Sequence, residues 1–267
     1  MKLMLEKNWW WIYSLVSGLA MVFYLLSWTN LEVDPATSKI PVEIIVMGAL
    51  SSALFYMILR WPREYRKSPY RFATLYGAIL SAGAYVIQCQ SISVLSSSFW
   101  PGMLLLSAIA VAMLYAPGAL IRQLHGGIRN FYLAKTLAVA WCWTIWALLP
   151  LMFLGAAHLE TYLGVSFLFI AGMVIITDVL DGSDRNIFLG RKWMWISTIL
   201  GLLALGEIII HLQFQHKIEP SGLILSAIPA LLVAQTRHKL LSAFLVDCGL
   251  VFWYIFLTWS QWSNTLP

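Results

Sequence analysis

The stretch YLGVSFLFIAGMVIITDVLDGSDRNIFLGRKW runs from Tyr162 to Trp193. Its first 16 residues, Tyr162 to Thr177, carry no charge. Three aspartates follow at once, Asp178, Asp181 and Asp184, and then the bases Arg185, Arg191 and Lys192. A long apolar run that ends abruptly in charge is the pattern of a helix crossing a hydrocarbon layer of about 30 Å, which takes about 20 apolar residues. Outward from this stretch the pattern repeats. Apolar runs of 16 to 24 residues fill a chain of 267 residues that is 60% hydrophobic and only 11% charged. Soluble domains carry about a quarter charged residues, so a soluble enzyme is excluded. No series of short alternating segments suggests a barrel. The fold class expected is an all-α integral membrane protein, a single polytopic domain over residues 1–267.

Nine spans are predicted, roughly 9–28, 41–61, 72–95, 98–118, 132–154, 160–178, 193–213, 221–236 and 239–260. The placement of charge tests that number. Before span 1 and after spans 2, 4, 6 and 8 stand Lys2, Lys7, Arg60, Arg63, Arg66, Lys67, Arg71, Arg122, Arg129, Lys135, Arg185, Arg191, Lys192, Arg237 and Lys239. These are 15 of the 17 Lys and Arg; only Lys39 and Lys217 fall on the opposite side. Lys and Arg collect on the cytoplasmic side of membrane proteins. The alternation therefore predicts a cytoplasmic N-terminus, and it explains the net charge of +5 without any nucleic-acid partner. Met1 to Asn8 lead straight into the first span with no small-residue cleavage site, so no cleavable signal is expected. Cys89, Cys142 and Cys248 lie inside predicted spans and read as small packing residues, not as a disulfide or metal set.

The aspartates need an explanation of their own. Asp178 and Asp181 are three residues apart and share a face if the helix continues, while Gly182 and Ser183 can break it before Asp184. A carboxylate near a membrane is costly unless it meets a polar cavity or a cation. Two or three on one face suit Mg²⁺, which takes a few carboxylates together with substrate phosphate oxygens. Arg185, Arg191 and Lys192 in the same loop can hold phosphate directly. Acids and bases together at a membrane face thus suggest a metal–diphosphate site. The blander alternative is a solvated turn of ion pairs just outside the bilayer.

With these residues in view the chain resembles a family. TDVLDGSDRNIFLGRKW, from Thr177, looks like the second aspartate motif of the UbiA-type intramembrane prenyltransferases, of general form DxxDxxxDxxxGxxT. MLYAPGALIRQLHGGIRNFYLAKTLAVAWCWTIWALLP, Met113 to Pro150, is similar to the stretch joining the family's spans 4 and 5. The resemblance implies a ring of nine helices around a lipid-open cavity, with the aspartate motifs on the cytoplasmic side. It implies transfer of a prenyl group from an allylic prenyl diphosphate to an aromatic or similar acceptor within the membrane. By this resemblance Asp178 and Asp181 are the catalytic, metal-side ligands, with Asp184 as a third carboxylate for Mg²⁺. Arg60, Lys135, Arg185, Arg191 and Lys192 are the candidate diphosphate contacts. The partners implied are the prenyl diphosphate and membrane lipid. A protein partner is not identified, and the location implied is the bacterial inner membrane.

The chain also departs from the family. The Asn- and Asp-rich first motif should follow span 2, where LFYMILRWPREYRKSPYR, Leu54 to Arg71, has one acid, Glu64, and five bases. Those bases either grip the diphosphate in place of a second metal or serve only as topology signals. The family's third aspartate falls seven residues after the first; here that residue is Arg185 and the acid is one earlier, at Asp184. Two alternatives follow. One is a catalytically silent member of the fold that binds lipid or a partner. The other is an unrelated small transporter using Asp247, Glu207 and the aspartate turn. Glu207 and His211 share a helix face in span 7, and Asp247 lies deep in span 9. Gln88 and Gln90 in span 3 suggest interhelical hydrogen bonds.

Overall fold

The computed structural model describes residues 41–60, 62–92, 99–115, 127–128 and 132–155, with scattered helical positions within 12–18 and 159–174. Every element among these residues is a helix. We number the continuous ones α1 (Val42–Arg60), α2 (Pro62–Lys67), α3 (Arg71–Ser91), α4 (Phe99–Tyr115) and α5 (Tyr132–Leu154). Three of them, α1, α3 and α5, are long and apolar enough to cross a membrane, over Val42–Leu59, Arg71–Ser91 and Ala134–Leu154. The all-helical class expected from composition is what the described residues have, and these three helices are compatible with a membrane protein.

Local chemistry sets the helix ends. The carbonyl of Pro41 accepts the N–H of Ile44 at 3.0 Å and of Ile45 at 3.4 Å, and Glu43 stands in the first turn, where the helix dipole favours an acid. Pro62 opens α2 at a position that has no intrahelical use for the N–H that proline lacks. The turn into α3 is tied by Ser68, whose hydroxyl accepts the Tyr70 N–H at 3.2 Å and whose carbonyl accepts the Arg71 N–H at 3.3 Å. At the end of α5, Gly155 takes a left-handed φ of 69° and donates to the Met152 carbonyl at 3.4 Å, a helix stop that suits a residue without a side chain.

The sequence places the bases of residues 60–71 in a loop; the structure puts a six-residue helix there. The cause is Tyr65, which is buried in a cluster with Ile58 of α1 and Ala78 of α3, packed by Leu54, Phe55 and Leu75. One aromatic anchor holds α2 against the α1–α3 hairpin.

Small residues make the interfaces. Ala53, Ala78, Ala108, Ala138, Ala140 and Ala147 are buried, as are Ser51, Ser52 and Ser81. Lipid tails are as apolar as leucine, so helices in a bilayer gain from close packing rather than from escape from water, and small side chains allow the approach. The extreme case is Gly18, in a helical position, where an added Cβ would sit 2.5 Å from the Ala49 carbonyl oxygen and 2.8 Å from the Ala53 Cβ. The serines spend their hydroxyls on their own helices: Ser81 donates to the Gly77 carbonyl at 2.7 Å and Ser107 to that of Leu104 at 2.7 Å.

Candidate functional site

The end of the bundle where α1 and α4 finish and α3 and α5 begin collects the described candidate residues. Tyr115, the last residue of α4, and Ala138, in the second turn of α5, are buried together. Leu59 of α1, Val111, Ile128 and Val139 pack on them. Leu59 precedes Arg60, and Ala138 follows Lys135 by three residues. The packing therefore brings two of the predicted diphosphate contacts, Arg60 and Lys135, to the same end of the molecule by their backbone positions. The Arg60 side chain lies outside the described residues.

Lys135 is only 5% exposed, and Thr136 beside it is 2% exposed. A buried ammonium is expensive and persists only where other groups compensate it. Its position in the first turn of α5 puts the cation at a helix N-terminus, where the dipole also favours an anion nearby.

The remaining candidates, Asp178, Asp181, Asp184, Arg185, Arg191 and Lys192, lie outside the described residues, as do Glu207, His211, Asp247 and Cys248. Among the described residues no group of three or more His, Cys, Asp or Glu could hold a metal. Cys89 is buried, and Cys142 donates its thiol to the Ala108 carbonyl at 3.4 Å, in keeping with packing roles. Gln90 is exposed and Gln88 is half-buried, and the Gln88 backbone carbonyl accepts from the Ser91 hydroxyl of its own helix at 2.7 Å.

A junction deeper in the bundle was not foreseen. Pro150 sits inside α5 and lacks the N–H that would close on the Trp146 carbonyl four residues earlier. The hydroxyl of Tyr85, on α3, donates to that carbonyl at 2.8 Å. The Trp146 indole N–H donates to the Ser51 hydroxyl of α1 at 3.2 Å, and Ser51 in turn donates to the Gly48 carbonyl at 3.0 Å. The Trp146 ring lies 5.0 Å from that of Tyr85 and 6.4 Å, nearly perpendicular, from that of Phe55. One residue of α5 thus joins three helices. Trp141 ties α5 to α4, donating to the Ser107 hydroxyl at 3.0 Å. Among the described residues two fully buried hydroxyls, Thr144 Oγ1 and Ser166 Oγ, have no hydrogen-bond partner. The internal proline was the available signal: a proline inside a helix leaves one carbonyl in need of a donor from elsewhere.

No protein-family model matches the chain, and neither a curated protein nor a solved structure matches it.

Proposed function

We propose that this chain is a divergent UbiA-like membrane prenyltransferase, with nine spans and a cytoplasmic N-terminus. It moves a prenyl group from an allylic prenyl diphosphate to an acceptor that carries an electron-rich carbon or heteroatom. The observation that carries the proposal is the turn Asp178–Lys192, which sets three carboxylates beside three bases at the end of an apolar run. The alternation of Lys and Arg supports nine spans and puts that turn on the same face as the Arg60 and Lys135 ends.

The donor set fits Mg²⁺, since Asp178, Asp181 and Asp184 offer hard carboxylate oxygens and leave room for phosphate oxygens. When bound, the ion supplies charge neutralisation at the departing diphosphate. The chain's own cations do the rest. Lys135, buried at the helix end, and Arg60, Arg185, Arg191 and Lys192 hold the diphosphate and stabilise the negative charge it gains as the allylic C–O bond breaks. The acceptor's electron pair forms the new bond to the allylic carbon, and the acceptor gives up a proton. Apolar helices exclude water, which would otherwise capture the allylic cation.

The test is titration calorimetry of the purified protein in detergent with geranylgeranyl diphosphate, with and without Mg²⁺, beside Asp178→Asn/Asp181→Asn and Lys135→Met. Binding that needs Mg²⁺, is lost in the aspartate pair and is weakened in Lys135→Met is the expected result. Absence of binding by this and shorter prenyl diphosphates would sink the proposal. The missing first motif favours a second reading, a catalytically silent member of the fold that binds a lipid or a partner. It predicts no turnover of a prenyl diphosphate in any acceptor screen.

A further inference from the structure

We propose that the α1–α3 corner is a binding site for an anionic phospholipid, with the phosphodiester held by Arg66, Lys67 and Arg71 and an acyl chain laid along the outer face of α3. This rests on the described corner alone and not on the prenyltransferase proposal.

Two membrane-length helices flank the corner, Val42–Leu59 and Arg71–Ser91. The 11 residues between them, 60–70, are too few to leave the membrane surface, so the corner sits at headgroup level. Residues 60–71 carry five bases and one acid. Tyr65 fixes how α2 is rolled: its ring is buried with Ile58 and Ala78, so the next two residues, Arg66 and Lys67, are turned outward and exposed. Burial raises the Tyr65 hydroxyl above the ordinary tyrosine range, and the Arg71 guanidinium acts in the opposite sense. Arg71 lies over the Phe72 ring at 4.5 Å, within cation–π range. The turn that sets this spacing is tied by Ser68 and by the Thr74 hydroxyl, which donates to the Tyr70 carbonyl at 3.1 Å.

Below the cations runs a surface shaped for a lipid tail. Phe72, Tyr76 and Leu80 recur every four residues and are 60%, 65% and 71% exposed. Gly83 has nothing within 4 Å of an added Cβ, and Ile87 is 65% exposed. At 1.5 Å per residue the stripe from Phe72 to Gly83 is about 16 Å long, close to half of a hydrocarbon core of about 30 Å. The chemistry that fits is a negative phosphodiester joined to a chain the length of one leaflet. A zwitterionic headgroup presents its own cation to Arg66, Lys67 and Arg71 and is disfavoured. Each basic residue near an anionic membrane surface is worth about fivefold in binding.

The experiment is native mass spectrometry of the delipidated full chain in detergent. It is titrated separately with dioleoyl phosphatidylglycerol, dioleoyl phosphatidylcholine and water-soluble glycerol 3-phosphate. The expected result is retention of phosphatidylglycerol over phosphatidylcholine, no competition by glycerol 3-phosphate, and a loss of about fivefold for each of Arg66→Gln, Lys67→Gln and Arg71→Gln. The variants at exposed Arg66 and Lys67 keep the test usable if Arg71→Gln fails to fold. Asp178→Asn/Asp181→Asn should leave phosphatidylglycerol retention unchanged, which separates this site from the diphosphate site. Equal retention of the two lipids, retention unaffected by the single variants, or competition by glycerol 3-phosphate would each overturn the proposal.

Discussion

Pro150 removes a hydrogen bond from α5, and Tyr85 supplies one from α3. The arrangement fixes a sign that is open to measurement. Tyr85→Phe leaves the Trp146 carbonyl buried without a donor, which costs about 1–3 kcal/mol in water-soluble proteins and about 1 kcal/mol or less in membrane bundles. Pro150→Ala returns an N–H to position 150 and gives that carbonyl its ordinary helical partner. The two changes should therefore not add: Tyr85→Phe should cost much less when Pro150 is already alanine. A double-mutant cycle in SDS unfolding measures the difference, and equal costs in the two backgrounds would show that Tyr85 does not stand in for the N–H that Pro150 lacks. None of this could be read from the sequence, because the partners are 61 residues apart and proline announces only that a donor is needed.

Helices were the most legible level. The predicted spans 41–61, 72–95 and 132–154 meet observed helices at Val42–Arg60, Arg71–Ser91 and Tyr132–Leu154, since length and apolarity alone define a membrane helix. The span predicted at 98–118 corresponds to Phe99–Tyr115. The short α2 was missed because six residues are too few to show a period, and its cause is a tertiary contact of Tyr65. Helix pairing was also beyond the sequence, though small residues hint at it. Gly18 approaches α1 so closely that a methyl group there would meet the Ala49 backbone. Backbone cannot swing aside as a side chain can, so Gly18→Ala should destabilise the protein by about 1–3 kcal/mol, the usual cost of overpacking. Gly83→Ala, on the open face of α3, should be close to neutral, and a thermal-shift assay of the two variants checks the contrast. If Gly18→Ala melts at the same temperature as the unaltered protein, the close crossing is wrong.

For the whole molecule, the predicted nine spans put Lys67 and Lys217 on opposite sides of the membrane. With the native cysteines replaced, Lys67→Cys should react with a membrane-impermeant maleimide only after intact cells are opened, and Lys217→Cys before. Labelling of both from one side would remove an odd number of spans from the plan. The candidate site was legible as chemistry and not as geometry. Arg60 and Lys135 were named as candidate bases from the sequence, but the placement of their backbones at one end of the bundle depends on Leu59 packing against Tyr115 and Ala138, a contact between distant segments. The aspartate turn was the clearest motif in the chain, and it lies outside the described residues.

The Tyr85–Trp146 bond also has a direction in time. A ribosome adding about 5–20 residues per second completes Tyr85 about 3–12 s before Trp146, and Pro150 follows Trp146 within about a second. The donor is already made when the stripped carbonyl arrives, so the chain need never hold that carbonyl bare in lipid. Splitting the gene between α4 and α5 and making the second piece first would reverse the order, and α5 would then enter the membrane without its partner.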